Sequence, residues 1–224
     1  MPFATINPAT GKTEKEFPVH TSAEVDVILD KSVAAFADYQ HTSYAERARH
    51  LLAAAELLEG EVPDVARILT TEMGKTFAAA KAEVSKSAMA MRWFADNAER
   101  LLADETIATK ATKSYVQYQP IGPVLAVMPW NFPLWQVTRF AAPALMVGNV
   151  GLLKHASNVP ETAVAIEDLF RRAGLPEGVF TNLFVESKNV AALIEDPRIA
   201  AVVHDPLRDL RSRDDHHAID APRD

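Results

Sequence analysis

The second half of the chain alternates between short apolar runs and amphipathic segments, and this regularity restricts the fold more than any other feature. A continuous apolar run, Val124–Met128, follows Gly122 and Pro123 and is typical of a parallel strand buried on both faces. The alternation continues with short connections, which predicts right-handed βαβ units and a parallel sheet of at least four strands. The predicted strands are 124–128, 150–154, 179–185 and 199–203, and the helices between them are about 133–147, 160–174 and 187–195.

The first half of the chain is predicted to be an extended arm followed by helices. The arm covers residues 1 to about 20 and contains a turn at residues 7–12 (NPATGK), where proline and glycine favour a change of direction. Thr21 and Glu24 have the spacing of a capping box at a helix start, and Ser43 and Glu46 repeat it. The four predicted helices start at Thr21, run from Ser43 to Gly60, run from Pro63 to about Gly74, and cover about 76–101.

Together these two parts predict the fold class and the domain organisation. We expect an α/β protein in which an incomplete parallel sheet is preceded by a helical segment. Residues 1–112 supply the arm and helices, and residues 113–203 supply the strand–helix part of the same unit. Residues 114–119 (SYVQYQ) alternate like a half-buried strand. Residues 204–224 are dominated by Asp, Arg and His, lack apolar periodicity, and are predicted to be disordered.

The composition argues against several classes of function. A net charge of −7, with no basic cluster beside an aromatic platform, argues against a general nucleic-acid binder. The chain has no cysteine, which excludes disulfides, thiolate metal sites and a cysteine nucleophile. The N-terminus lacks a signal-peptide pattern, and the longest uncharged apolar run, 140–153, is too short to span a membrane. We therefore expect a soluble, cytoplasmic protein that does not bind membranes.

The loop at residues 128–134, with the sequence MPWNFPL, is the strongest candidate for a functional site. It follows the first buried strand at its carboxyl end, where open α/β sheets bind ligands. Asn131 carries an amide whose N–H can face developing negative charge. For a single asparagine the simpler interpretation is a turn residue, with Trp130 and Phe132 packing a strand-to-helix turn.

The whole heptapeptide resembles the most recognisable signature of the aldehyde dehydrogenase superfamily. Further segments that resemble the family occur in family order over residues 5 to about 203, and the nearest branch is the succinate-semialdehyde dehydrogenases. The resemblance implies the Rossmann-like, cofactor-binding part of that family. The further segments are residues 7–11 (NPATG), 72–75 (EMGK), 118–124 (YQPIGPV), 148–157 (GNVGLLKHAS) and 173–179 (AGLPEGV).

The resemblance implies where the substrate oxygen and the cofactor bind. Asn131 corresponds to the amide that forms half of the oxyanion hole, and Lys154 to the lysine that contacts the adenosine ribose. Ser157 stands where many NAD-specific members carry glutamate. A serine there does not repel a 2′-phosphate and Lys154 adds a positive charge, so NADP is favoured over NAD. The alternative is a surface lysine and a loop serine. The positions implied on the cofactor side are Met128, Pro129, Trp130, Lys154 and Ser157.

Arg139 follows Asn131 by eight residues on the predicted helix, and two helical turns would keep it on roughly the same face. In succinate-semialdehyde dehydrogenases an arginine at this position binds the distal carboxylate of the substrate, and a guanidinium fork matches a carboxylate. A surface ion pair is an equal alternative, and Phe140 departs from the lysine that many members carry. Residues 74–76 (GKT) echo a phosphate-binding loop without its first glycine, and no residues have metal-site spacing, so no metal is expected.

The chemistry that the resemblance implies is incomplete in this chain. Family members oxidise a small aldehyde after attack by a cysteine thiolate, and this chain has no cysteine. Their general-base glutamate belongs to a strand well beyond residue 224. The resemblance stops at Val203, where a TGS turn and the helix that holds the cofactor's pyrophosphate are expected. A frameshifted or truncated gene, with residues 204–224 out of frame, is one explanation, and a divergent tail is the other.

Three functions remain open at this point. The favoured one is an aldehyde dehydrogenase by descent that is inactive as an isolated chain; the others are a subunit of a split enzyme and a non-enzymatic interaction module. Cofactor binding by the isolated chain should be weak because the pyrophosphate helix is missing. Full-length members are homo-oligomers, and the resemblance implies that the segment corresponding to residues 115–119 joins a sheet shared between subunits. In this chain that segment would have an unpaired strand edge, so self-association is expected.

Overall fold

The computed structural model of the protein describes residues 3–204. It contains two short antiparallel strand pairs, a helical segment, and a four-stranded sheet with its own helices. Among the described residues, no helix is both long enough and apolar enough to cross a membrane. In chain order the elements are β1 (Phe3–Ile6), β2 (Thr13–Phe17), α1 (Ser22–Tyr39), α2 (Tyr44–Gly60), α3 (Val62–Met73), α4 (Phe77–Leu101), β3 (Glu105–Thr106), β4 (Tyr115–Val116), β5 (Pro123–Met128), α5 (Pro133–Val147), β6 (Val150–His155), α6 (Pro160–Arg172), β7 (Phe180–Asn182), α7 (Val190–Ile194) and β8 (Ala201–His204).

The four-stranded sheet confirms the predicted parallel α/β fold. Its strand order is β7-β6-β5-β8, and every neighbouring pair is parallel. The chain enters the sheet at β5, continues outward through β6 and β7, and then returns to place β8 on the other side of β5. The direction of winding therefore reverses at β5, which is where sheets of this kind bind ligands. β5 has a neighbour on each side and most of its residues are buried, which explains its uninterrupted apolar run.

Two predicted elements near the end of the sheet are shorter than expected. The strand predicted at 179–185 is confined to β7, because Phe184 pairs with the segment before α1 instead of with β6. The His20 N–H donates to the Phe184 carbonyl at 2.9 Å, and the Phe184 N–H donates to Nδ1 of His20 at 3.3 Å. The helix predicted at 187–195 consists of a 3₁₀ turn at Ser187–Asn189 followed by α7.

The helical segment starts and ends at the residues that local chemistry favours. Thr21 forms the complete capping box of α1, and the Ser43 side chain accepts from the backbone at the start of α2. Gly74 ends α3 in the left-handed region with φ of 79°. Gly60 is the last residue of α2, as predicted, and Glu61 is the cap from which α3 begins.

The segment at residues 114–119 is not the half-buried strand that its alternation predicts. Only Tyr115 and Val116 are in a strand, paired antiparallel with Glu105 and Thr106, and all four residues are exposed. Successive side chains point to opposite faces of a strand, so neither face of this pair is covered. The predicted disordered tail lies outside the described residues except for its first residue, His204, which ends β8.

A buried arginine joins the ends of two helices that are distant in the sequence. Arg47, on α2, is 5% exposed. Its guanidinium donates to the carbonyls of Tyr39 and Gln40 at the end of α1, and to those of Met146 and Val147 at the end of α5, at 2.8–3.3 Å. These carbonyls lie at helix C-termini and carry the negative end of the helix dipole, and the Tyr39 carbonyl also accepts from the N–H and hydroxyl of Thr42. Arg47 therefore fixes α1 and α5 relative to α2.

The position of Arg47 favours glycine at the residue after α5. Gly148 has φ of 105°, and a Cβ at this position would lie 2.7 Å from the Arg47 guanidinium carbon. A side chain here would strain the left-handed backbone and would displace the Arg47 guanidinium from its carbonyl partners. Gly148 thus ends α5, and the absence of a side chain at this position leaves the space that the Arg47 guanidinium occupies.

We expect Arg47→Met to lower the free energy of unfolding by about 3 kcal/mol, because it removes the guanidinium donor from the Gln40, Met146 and Val147 carbonyls. Urea unfolding followed by circular dichroism measures this change. Arg67→Met is the matched control, since Arg67 is exposed and, within residues 3–204, is paired only with Asp64 three residues away, and its loss should cost about 0.5 kcal/mol or less. Equal effects of the two substitutions would contradict the structural role of Arg47.

Candidate functional site

The candidate site lies at the carboxyl edge of β5 and β6. These strands are parallel and in register, with Met128 opposite His155 at their ends. The loops that follow them, 129–132 and 156–159, therefore leave the sheet side by side. The structure thus places the Asn131 loop and the Lys154–Ser157 segment at one edge, as the strand–helix alternation predicts.

His155 connects the two loops through hydrogen bonds to their backbone. Its ring is 2% exposed, and burial lowers the pKa of His155 from 6.5 to about 4. The imidazole is therefore neutral near pH 7. Nδ1 accepts from the Ala156 N–H at 2.9 Å, which leaves the Nε2–H to donate to the Pro133 carbonyl at 2.9 Å. A neutral histidine held by backbone on both nitrogens has a structural role at this edge.

The Asn131 loop is fixed from below by a buried ion pair between α4 and the turn before it. Lys75 and Glu83 form a short salt bridge, and their side chains are 8% and 1% exposed. The Lys75 ammonium also donates to the Asn131 carbonyl at 3.2 Å and lies 4.4 Å from the centre of the Phe132 ring. The residues that resemble a phosphate-binding loop, 74–76, thus end α3 and fix the candidate loop.

Glu83 also caps the helix that follows the loop. One carboxylate oxygen accepts from the backbone N–H groups of Leu134 and Trp135, each at 3.0 Å. These are the second and third residues of α5, whose first residue, Pro133, has no N–H to satisfy. A carboxylate at this position meets the positive end of the helix dipole. The start of α5, and with it the end of the Asn131 loop, is set by an acid 51 residues earlier.

The Asn131 side chain is partly buried within its loop. Among the described residues, its Oδ1 atom is buried and has no hydrogen-bond partner. The flanking rings of Trp130 and Phe132 are 43% and 48% exposed. An amide with a fixed backbone and a short side chain can donate to an oxygen placed above the loop.

Arg139 lies on an exposed part of α5, two turns from the start of the helix. Asn131 precedes the helix, since Phe132 is its N-cap. The helical spacing between Asn131 and Arg139 therefore does not fix their relative direction, and the assignment of Arg139 to a substrate carboxylate stays a prediction.

Lys154 and Ser157 line one cleft of about 270 Å³ at the edge of the sheet. Lys154 is 6% exposed, so it is not a surface lysine, and burial lowers its pKa. No carboxylate among the described residues forms a salt bridge with it. The Ser157 carbonyl accepts from the Ala4 N–H at 3.3 Å, so β1 supports the loop that carries the serine. A buried cation without an anionic partner is suited to a bound anion.

The cleft includes charged residues that the sequence interpretation missed. Besides Phe3, its lining contains Glu186, Ser187 and Lys188, which follow β7. Short polar turns after a strand are common, so the sequence of these residues does not by itself indicate a binding site. Only the order of the strands could have placed them beside Lys154. Among the described residues, no group of acidic or histidine side chains could hold a metal ion. The predicted cofactor residues Met128, Pro129 and Trp130 are not part of this lining.

We expect Glu83→Gln to destabilise the chain by about 3 kcal/mol and to loosen the start of α5. The amide cannot neutralise Lys75, and a buried charge that loses its partner is strongly unfavourable. Hydrogen exchange at the Leu134 and Trp135 amides should become faster than in the parent chain, and urea unfolding gives the stability. The control is Glu99→Gln, an exposed position on the same helix. Unchanged exchange at both amides would show that Glu83 does not hold α5.

Stability should fall in acid because of His155. The unfolded histidine binds a proton near pH 6.5, whereas the folded one does so only near pH 4, so protons favour the unfolded chain between these values. At about pH 5 this amounts to about 2 kcal/mol relative to neutral pH. His155→Gln keeps a donor but does not titrate, and its stability should change less over this range. His41→Gln, at an exposed position, should behave like the parent chain. Parallel profiles for His155→Gln and the parent would refute the assignment.

Comparisons with known proteins agree on one family. The aldehyde dehydrogenase family profile matches residues 1–204. The chain is 57% identical over 204 residues to succinate-semialdehyde dehydrogenase (NADP+) 1 of Mycobacterium tuberculosis, covering 90% of this chain and 45% of that protein. It is similar to the NADP+ complex of succinic semialdehyde dehydrogenase from Streptococcus pyogenes, with a TM-score of 0.88, 33% identity, and coverage of 90% of this chain and 45% of that one. The chain therefore spans less than half the length of these relatives.

Proposed function

Because the chain belongs to the aldehyde dehydrogenase family, we propose that it is the cofactor-side part of an NADP-dependent succinate-semialdehyde dehydrogenase and is inactive by itself. The observation that carries the proposal is the cleft in which buried Lys154 lies beside Ser157 without a carboxylate partner among the described residues. We place the protein in the cytoplasm.

Lys154 and Ser157 have the properties needed to hold the 2′-phosphate of NADP. The buried ammonium supplies a positive charge where solvent screens little, and the serine hydroxyl can donate to a phosphate oxygen. Binding a phosphate would also offset the desolvation that lowers the pKa of Lys154. When bound, the nicotinamide of the cofactor would accept the hydride that the aldehyde loses.

Asn131 supplies the second part of the proposed site. Its amide would donate to the oxygen of an aldehyde that has been attacked, and Lys75 and Glu83 hold its loop in place. Such a donor lowers an existing barrier by about 3 kcal/mol and cannot itself form the covalent bond. The chain has no cysteine to make that attack, so we propose that no turnover occurs in this chain alone. Arg139 would bind the distal carboxylate of succinate semialdehyde.

A second candidate is a subunit that a separate polypeptide completes, as in a split enzyme. Exposed apolar side chains on and near the β3–β4 strand pair favour this candidate. Single exposed apolar residues are normal on a protein surface, whereas a group of them indicates a contact surface. Members of the group are 42–60% exposed: Ile107, Tyr115, Val116, Tyr118 and Ile121. We propose that this surface is covered by a separate polypeptide that corresponds to the part of the relatives this chain does not span.

The cofactor proposal predicts preferential binding of 2′,5′-ADP over 5′-ADP, because only the former carries the 2′-phosphate. Titration of the 224-residue chain followed by NMR measures both affinities, which we expect to be weak. Lys154→Met should abolish the preference, whereas Lys12→Met, at an exposed turn, should keep it. No preference in the parent chain would contradict NADP as the cofactor.

The same preparation should not oxidise succinate semialdehyde with NADP or NAD. Absorbance of the reduced cofactor measures the reaction directly. Persistent turnover after rigorous purification, lost in Asn131→Ala, would show that the chain contains a nucleophile other than cysteine and would refute the proposed inactivity.

A further inference from the structure

The cleft around Lys154 contains a carboxylate and a second cation that come from a different strand. Glu186 and Lys188 follow β7, which is parallel to β6 and next to it, so both strands deliver their following residues to the same edge. We propose that Glu186 and Lys188 determine cofactor choice: Lys188 is a second cation for the 2′-phosphate, and Glu186 accepts from the 2′-hydroxyl when that phosphate is absent. This inference rests on the proposed function.

The geometry of the pair supports this role. The Lys188 ammonium lies 2.8 Å from a carboxylate oxygen of Glu186, and both residues line the cleft with Lys154 and Ser157. The side chain of Glu186 is 32% exposed, and that of Lys188 is 73% exposed. An exposed pair of this kind is weak, so Lys188 can turn towards an arriving phosphate at little cost. Its three rotatable donors can bridge the carboxylate and the phosphate.

The net charge of the cleft explains why Glu186 and Lys188 would affect a 2′-phosphate and a 2′-hydroxyl differently. Lys154 contributes one positive charge at a buried position, and Glu186 opposes it, so without Lys188 the charged side chains of the lining cancel. A 2′-phosphate then meets no net attraction, whereas a 2′-hydroxyl can still donate to Glu186. With Lys188 present the lining carries one net positive charge and favours the phosphate. The carboxylate absent at position 157 is therefore supplied by Glu186, and Lys188 neutralises it.

Binding of 2′,5′-ADP and 5′-ADP to the full chain and its variants tests this role. Lys188→Gln should weaken 2′,5′-ADP about threefold to fivefold and leave 5′-ADP nearly unchanged. Glu186→Gln should strengthen 2′,5′-ADP by a similar factor and weaken 5′-ADP, which loses a charged acceptor. Lys31 and Glu177 form a comparable exposed pair, at 2.6 Å, that does not line the cleft. Lys31→Gln and Glu177→Gln should change neither affinity.

The outcomes separate this inference from the function on which it rests. If Lys154→Met abolishes the preference for 2′,5′-ADP while the Glu186 and Lys188 variants behave like the Lys31 control, the pair has no role and the proposed function stands. If Glu186→Gln strengthens both ligands equally, the effect is one of general charge and the inference is wrong. If the parent chain binds neither ligand, or binds both equally, the proposed function fails as well.

Discussion

The structure depends on helix ends that are capped by side chains from a different part of the chain. The helices of the sheet, α5 and α6, each begin with a proline, and in each the next two backbone N–H groups donate to a buried carboxylate from the helical segment. Glu83 serves α5, and Glu72 serves α6 by accepting from the N–H groups of Glu161 and Thr162. At the opposite ends, Arg47 reaches the carbonyls of α5, and Nδ1 of His50 lies 3.2 Å from the Ala173 carbonyl after α6.

This arrangement matches the polarity of both helices at both ends. Carboxylates meet the positive N-termini, and hydrogen-bond donors meet the C-terminal carbonyls. Burial of Glu72 disfavours its charged form and raises its pKa. The hydroxyls of Thr5 and Thr162 and two backbone N–H groups donate to the carboxylate and act to lower that pKa. All of these partners are donors, which favours the ionised carboxylate in the folded chain. The arm, the helices and the sheet are therefore held together by shared polar contacts as well as by apolar packing.

Features that depend on a few neighbouring residues could be predicted from the sequence. The capping box at Thr21, the left-handed glycines at 74 and 148, and the proline start of α5 follow from local chemistry, and the alternation of strands and helices was enough to predict the parallel sheet. It also placed Lys154 and the Asn131 loop at a common edge. Burial at residues 114–119 was predicted wrongly, because alternation shows that a strand has two faces and does not show that something covers one of them.

The rest of the candidate site depends on contacts that the sequence does not encode locally. Glu83 is one of several acidic residues on a long helix, and only the fold brings it to the start of α5. Glu186 and Lys188 stand in an ordinary polar turn, and their place beside Lys154 follows from the order of β6 and β7. A charged residue in a sequence has many partners available to it, whereas a proline or glycine restricts its own backbone. Backbone elements are thus more readily predicted than side-chain partners.

The long-range caps also impose an order on folding during synthesis. The contacts of Arg47 with α5 join residues 99 and 100 positions apart, and those of Glu72 with α6 join residues 89 and 90 positions apart. The helical segment leaves the ribosome first, with the carboxylates and the guanidinium that it later buries still in water, where they are well solvated. Its packing can be completed only after α6 has been made, since burying these charges without partners is costly. The polar contacts of the helical segment are therefore completed late, since Glu72 acquires its α6 donors only when residues 161 and 162 are available to fold against it.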